Sequence, residues 1–450
     1  MNQQSQSGWN RREQQINELE AEIDRAYQVI KHLRQQNAQL QDQVAQLENS
    51  EGGQFKLPVS RLYLSSSENM QYKQSQTFTS KNTTAKLSQL QFVALATAVA
   101  GCLTVGGLVA IHLMTWRPRT PSVPLESPVS PKARLPPLSE LVYNVRKPPN
   151  FRQSQKLQGI VDEVVGIGAA KGLPTAPLSI TLIDLKSGET AGYQQRQSRF
   201  PASVVKLFWM VALYTPLQQG ILPNAGAFTT DLQKMINKSD NEAASRILDR
   251  ITGTESGSEL EGEEYQSWLS SRKQVNTFFQ EAGYEGINVS QKTFPIPYLK
   301  LYKPKGREQQ MRGEPTRPIR NKITTDQAAR LMYEIFTGQA VSQEYSKKMM
   351  SLLTIDSATR VLNREQQDPN RFNSVHGFLS QSLPDDVYFA AKAGWTSGSR
   401  QEAAYIATRD GKSAYILVIF AEHSSYAYDW NVFPKMSLHV FNRMMARSSG

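Results

Sequence analysis

Cysteine is almost absent: the 450 residues hold one, Cys102. A single thiol closes no intramolecular disulfide, so the fold cannot rest on a disulfide framework. Its place in an apolar run reads as a small hydrophobe. The five histidines, His32, His112, His376, His423 and His439, stand at no metal-ligand spacing from one another or from that cysteine. No structural metal and no cofactor are therefore expected. Also missing are a zinc-finger pattern, an aromatic RNA-recognition signature and lysine runs interleaved with stacking rings. The net charge of +11 and pI near 9.5 accordingly point to an anionic lipid surface or acidic polymer, not to nucleic acid as a partner.

Charge is locally absent too. From Phe92 to Trp116 the chain has no Asp, Glu, Lys or Arg. That length suits one transmembrane helix over residues 90–116, with Trp116, Arg117 and Arg119 as an interfacial anchor. It begins too far from the N-terminus for an ordinary cleaved signal peptide. Lys73, Lys81 and Lys86 on one side and the two arginines on the other give no clear vote on orientation. His112 lies near the end of the run, where it can reach the interface.

Upstream, residues 1–50 carry an unbroken heptad. Ile16, Ile23, Ile30, Asn37 and Val44 fill one seam position, and Leu19, Ala26, Leu33, Leu40 and Leu47 the other. β-Branched residues at the first position with leucine at the second predict a parallel two-stranded coiled coil, hence a homodimer, with Asn37 fixing the register. Residues 51–88 are polar and aperiodic, a flexible linker. Residues 117–150 are proline-rich, an extended tether. Residues 151–450 alternate helical and strand patterns: the hairpin-like LSITLIDLKSGETAGYQQ, central helices, the apolar strands VYFAAKAG, QEAAYIAT and SAYILVIFA, and a terminal helix. Such a mixture predicts a single α/β or α+β domain.

The chemistry starts at FPASVVKLFWM. Helical spacing puts Ser203 one turn before Lys206, and every residue shown after that lysine is apolar. Desolvation disfavours a charged amine, so Lys206 can accept the proton of Ser203 and turn it into a nucleophile. Downstream, SDN supplies Ser239, Asp240 and Asn241, and KAG supplies Lys392, Ala393 and Gly394 on an apolar strand. A serine able to relay a proton to a leaving nitrogen, a side-chain amide for the substrate and a second lysine for a carboxylate fit acyl transfer. Asp240 reads as a turn-orienting residue.

This trio of S-x-x-K, S-D-N and a K-T-G-like motif resembles the serine β-lactamase and penicillin-binding D,D-peptidase superfamily, most closely class A β-lactamases, over residues 155–447. The resemblance implies a transpeptidase-like fold: an antiparallel sheet flanked by helices, plus an all-helical subdomain. It implies an acyl-enzyme on Ser203 and an oxyanion hole from the backbone N–H groups of Ser203 and Trp395. Its substrates are β-lactams or peptidoglycan stem peptides, which place the catalytic domain on the periplasmic or extracytoplasmic side of the plasma (inner) membrane.

Three departures stand out. Ala393 replaces the threonine of K-T-G and removes a hydroxyl that the family uses on the substrate carboxylate; Arg400 resembles the family's carboxylate-binding arginine shifted by one residue. No E-x-x-L-N loop follows Asn241, and the nearest candidate for a deacylation base is Glu314. Finally, an acidic insertion, TESGSELEGEE, and a basic stretch from Lys300 to Lys322, with eight Lys or Arg against Glu308 and Glu314, read as solvated loops. The expectation is a class A β-lactamase-like serine hydrolase. The alternatives are a D,D-peptidase with slow deacylation and a non-catalytic cell-wall-binding scaffold.

Overall fold

A computed structural model describes residues 138, 141–222, 226–365 and 372–448. The expected coiled coil, linker and span at 90–116 lie outside the described residues, as does most of the tether. Among the described residues no helix is long and apolar enough to cross a membrane.

The expected hairpin forms β2 (Leu178–Asp184) and β3 (Glu189–Tyr193), and the three apolar segments form β4 (Tyr388–Thr396), β5 (Ser399–Ala407) and β6 (Ala414–Ala421). With the two-residue β1 (Arg152–Gln153) they make one sheet in the order β1-β3-β2-β6-β5-β4. Every pairing is antiparallel except β1 with β3, which is parallel, so the sheet is mixed where a purely antiparallel one was expected. The reason is local: Arg152 and Gln153 arrive at the edge strand ahead of a helix and pair with Glu189 and Thr190 for two residues only.

β6 is buried along its whole length, and its alternation assigns two cores. Ile416, Val418 and Phe420 face the larger one, whereas Tyr415, Leu417, Ile419 and Ala421 face the other. The second core is covered by α1 (Gln155–Ala170) and α11 (Val432–Ser448), whose Leu157, Ile160, Phe433 and Met436 meet the sheet. The first belongs to the helical part of the molecule: α2 (Lys206–Gln218), α3 (Gly226–Asn237), α4 (Asn241–Thr252), α5 (Gly262–Gln280), α6 (Arg307–Arg312), α7 (Thr325–Phe336), α8 (Gln343–Leu353) and α9 (Ser357–Leu362). The short α10 (Ser424–Tyr428) lies between β6 and α11. Residues 206–217 of α2 are all buried, as expected for a helix that is apolar on every side.

The packed body extends upstream of residue 151. Leu138, Leu141 and Tyr143, in the tether segment, enter the larger core. The Tyr143 hydroxyl donates to Glu334 Oε2 at 2.6 Å, as does that of Tyr284, while Arg330 Nε donates to the other carboxylate oxygen at 2.7 Å. The two insertions pack on each other: Arg307 Nε donates to Ser258 O, and the Gln310 amide bonds both backbone groups of Leu260. Behind them Arg272, fully buried, bonds Asp249 and Glu308, and Lys292 bonds Asp249. Four charges in one hydrogen-bonded cluster hold α4, α5 and the 290–312 loop together; removing any one would strand a buried partner.

Tyr143→Ala removes an aromatic ring packed on Phe278, Phe279 and Tyr284 together with one bond to Glu334. The expected loss is about 3–5 kcal/mol of unfolding free energy, read by urea denaturation. A change under about 1 kcal/mol would mean that the segment is a bystander.

Candidate active site

Ser203 lies in a short 3-10 turn, Ala202–Val205, that runs directly into α2. Ala202 has φ of 46° and Ser239 has φ of 52°, both left-handed without being glycine. Such backbone strain persists only where the surroundings impose it. At Ser239 it turns the carbonyl toward Lys206, while Asp240 caps α4 by accepting the Ala243 N–H at 2.7 Å. Asp240 thus has the turn-orienting position expected of it.

Lys206 is 0% exposed. Its Nζ is 2.6 Å from Ser239 O, 2.8 Å from Asn241 Oδ1 and 3.1 Å from Ser203 Oγ. A neutral amine has two N–H bonds and one lone pair. Donation to the carbonyl and the amide leaves the lone pair for the Ser203 hydroxyl. Burial, and after it the charge of Lys392, hold the Lys206 pKa well below the ordinary lysine value, against a smaller pull from Asp240.

Lys392 Nζ donates to Ser239 Oγ at 3.0 Å and to Ala393 O at 2.8 Å. Ser239 Oγ, 3.4 Å from Lys206 Nζ, therefore stands between the two lysines. Burial lowers the Lys392 pKa to about 7, with Glu402 opposing. The aromatic ring of Phe372 lies 5.8 Å from Lys392 Nζ, a neighbour that no motif signalled.

Gly394 is required by contact. A Cβ there would lie 2.8 Å from Ser203 N and 3.0 Å from Pro201 O, so β4 runs against the nucleophile turn closely enough to admit only hydrogen. Gln401, opposite Gly394 in the ladder, donates from Nε2 to Phe200 O at 2.7 Å and accepts the Ala421 N–H at 2.8 Å. It ties the nucleophile turn to two strands. A buried glutamine in an apolar strand was the available signal for it, and it was overlooked.

Arg400 does not join the cluster. Strand alternation puts Lys392 and Gly394 on one face of the sheet and Ala393, Trp395 and their ladder partners Glu402 and Arg400 on the other. Arg400 is 0% exposed and donates to the carbonyls of Tyr426, Gly377 and Ala427. Its guanidinium also lies 4.2 Å from the Trp430 ring. Held by three backbone carbonyls, it supports the wall behind β4 and does not join Ser203, Lys206, Ser239 and Lys392. Trp395 divides its roles: its indole N–H donates to Ala427 O on the rear face, and its backbone adjoins Gly394. Glu402 is buried beside Arg400, accepts the Leu379 N–H at 2.7 Å and has its pKa raised to about 8 by burial.

Glu314 is corrected as well. It is exposed in the loop after α6, and among the described residues its only hydrogen bond is between its carbonyl and the Arg317 N–H. Nothing brings its carboxylate to Ser203 or Lys206. The residues brought together are Ser203, Lys206, Ser239, Asn241, Lys392 and Gly394. Among the described residues no group of His, Cys, Asp and Glu could hold a metal ion.

Residues 228–444 match the model of the Beta-lactamase enzyme family, beginning downstream of Ser203 and Lys206. The match takes in a little under half of the chain and makes this part similar to that family. No curated protein matches it. Similar solved structures include a β-lactamase from Sphaerobacter thermophilus, 18% identical over 65% of this chain and 97% of that one, with a TM-score of 0.43. A mutant of PBP-A, solved as its acyl-enzyme complex with penicillin G, is 18% identical over 66% of this chain and 99% of that one, with a TM-score of 0.45. A class A β-lactamase from Bacteroides cellulosilyticus is 14% identical over 65% and 100%, with a TM-score of 0.44.

A buried lysine whose folded pKa lies below its unfolded value weakens the fold fully below the folded pKa. The penalty fades as pH rises toward the unfolded value. For Lys392 that window runs from about 7 to 10.5. Lys392→Met should therefore be more stable than the wild type by on the order of a few kcal/mol at pH 6, with the difference shrinking steadily toward pH 10 in urea titrations. A difference independent of pH would show that the lysine is solvated.

Proposed function

We propose that this protein is a serine acyl-transfer enzyme that forms a long-lived ester on Ser203 with β-lactams or with stem peptides of peptidoglycan. The observation that carries the reading is the contact of a buried Lys206 amine with Ser203 Oγ at 3.1 Å while its two N–H bonds are occupied elsewhere. Lys206 takes the hydroxyl proton as Oγ bonds to the carbonyl carbon. The N–H groups of Ser203 and Trp395 receive the developing oxyanion, at about 2.7–4 kcal/mol per donor. As the amide C–N bond breaks, the nitrogen takes a proton through Ser239, whose Oγ lies between both lysines. Lys392, when protonated, holds the substrate carboxylate, and Asn241 holds a substrate amide.

Slow release of the acyl group is supported by what surrounds Lys206. Among the described residues Asp240 is the one carboxylate that bears on it, and that side chain caps α4. Fast hydrolysis needs a base that directs water at the ester, and Glu314 is exposed without contact to the cluster. The reading is therefore closer to a D,D-peptidase or penicillin sensor than to an efficient β-lactamase. We extend it to the whole chain: a single span at 90–116 anchors the enzyme in the plasma membrane, the coiled coil at 1–50 pairs two copies on the cytoplasmic side, and the catalytic domain is extracytoplasmic.

Intact-mass measurement after mixing with benzylpenicillin should show one added penicilloyl group that lasts minutes or longer, absent in Ser203→Ala. An adduct gone within seconds would favour a β-lactamase, and no adduct a scaffold. Gly394→Ala pushes a methyl group against the backbone of Ser203 and should slow acylation by about 10²-fold or more, since a misplacement of about 1 Å has that effect. An unchanged rate would show that β4 does not fix the nucleophile.

A further inference from the structure

The basic stretch that follows α6 ends against Arg199 and Phe200, just before the turn that carries Ser203. Ile323 and Arg199 form an antiparallel bridge, with N–H to carbonyl distances of 2.8 and 3.1 Å in the two directions, and Lys322 pairs likewise with Asn288. Asn321 points inward: it is 3% exposed, and its amide bonds both backbone groups of Gln291. In extended chain the neighbours of an inward residue point out, and Arg320 and Lys322 are both exposed. The Arg320 guanidinium lies 5.5 Å from the centre of the Phe200 ring, three residues before Ser203. Among the described residues neither Arg320 nor Lys322 has an ion-pair partner. Nearby Arg312 is occupied by Lys292 O and the Phe294 ring and feels Arg320 as a repelling charge.

The opposing charges are few. Glu314 lies in the same loop, exposed. Glu422 accepts the Phe200 N–H at 3.4 Å and is felt by Arg199. Glu308, the other acid of the 300–322 stretch, is 2% exposed and held by Arg272. From Arg312 to Lys322 the sequence carries four basic residues and one acid. Two cations without ion-pair partners among the described residues, held by a bridged backbone next to the segment that leads into the Ser203 turn, raise the local concentration of an anionic ligand.

We propose that Arg320 and Lys322 form an anion subsite of the acyl-donor cleft and that the preferred donor carries a second anionic group, remote from the carboxylate held by Lys392. The inference rests on the acyl-enzyme reading above. The subsite selects by charge, through faster capture, and not through the bond-breaking steps.

The test compares benzylpenicillin with its α-carboxy derivative, which differs by one carboxylate on the side chain. Second-order acylation rates of Ser203 are measured by intact mass on the full-length protein, in the wild type and in Arg320→Glu/Lys322→Glu. In the wild type at low salt the ratio of dianionic to monoanionic rate should be about fivefold to tenfold, falling toward unity near 0.5 M salt as screening shortens. In the double variant the ratio should fall below unity. Because the ratio is taken within one protein, a general loss of activity cancels; Arg320→Gln/Lys322→Gln, with a ratio near unity, guards against a misfolded reversal. Equal ratios in all three proteins overturn the subsite while leaving the acyl-enzyme intact. No labelling of the wild type by either penicillin overturns the acyl-enzyme reading and the subsite with it.

Discussion

The candidate site depends on depriving one amine of water. Lys206 opens a helix whose next eleven residues are all buried, so its ammonium form would have to be solvated by the protein alone. What the protein offers is a carbonyl, an amide oxygen and a hydroxyl, a set that satisfies a neutral amine and leaves a cation without a counter-charge at contact distance. The same apolar packing that stabilises the larger core thus lowers the pKa of this amine. Stability and reactivity are here opposite faces of one burial, as expected where function requires a destabilised group.

β4 divides the chemistry from its support. It is an edge strand, and its alternation sends Lys392 and Gly394 toward the nucleophile and Ala393 and Trp395 to the rear. Behind it, Arg400, Glu402 and the stacked rings of Trp395, Trp430 and His376 form a second layer. That layer holds no group in contact with Ser203, but it fixes the strand that does. Gln401 completes the arrangement from the front by joining the nucleophile turn to β5 and β6. The strained conformations of Ala202 and Ser239 are affordable because these strands and the α4 cap hold both turns.

Much of this was legible in the residues. β6 could be recognised from a continuous apolar run, because a strand covered on both faces has no polar side to hide, and β4 and β5 from shorter apolar segments beside it. That Ser203, Lys206, Ser239, Asn241 and Lys392 come together was legible from their spacing in three short motifs. Arg400 was misread because a shift of one residue looks small in a sequence but turns a strand side chain to the opposite face. Glu314 was misread because a carboxylate in roughly the right interval says nothing about where its loop runs. Leu138, Leu141 and Tyr143 were hidden among prolines, where composition signalled a tether and only three-dimensional packing reveals the grip on Glu334 and the core.

The two buried lysines also bear on the fate of the ester. Lys392 raises the cost of protonating Lys206, and on the proposed reading the Ser239 hydroxyl between them gives a path for a proton from the nucleophile to the leaving nitrogen. That path serves acylation, where the proton has a destination. On the proposed reading, deacylation reverses the demand: a water must lose a proton close to the ester, and the cluster offers only its two lysine amines and no free carboxylate for that step. With Asp240 committed to its cap, the electrostatics favour forming the ester over clearing it. On the function proposed above, a long-lived acyl-enzyme follows from the same arrangement that activates the serine.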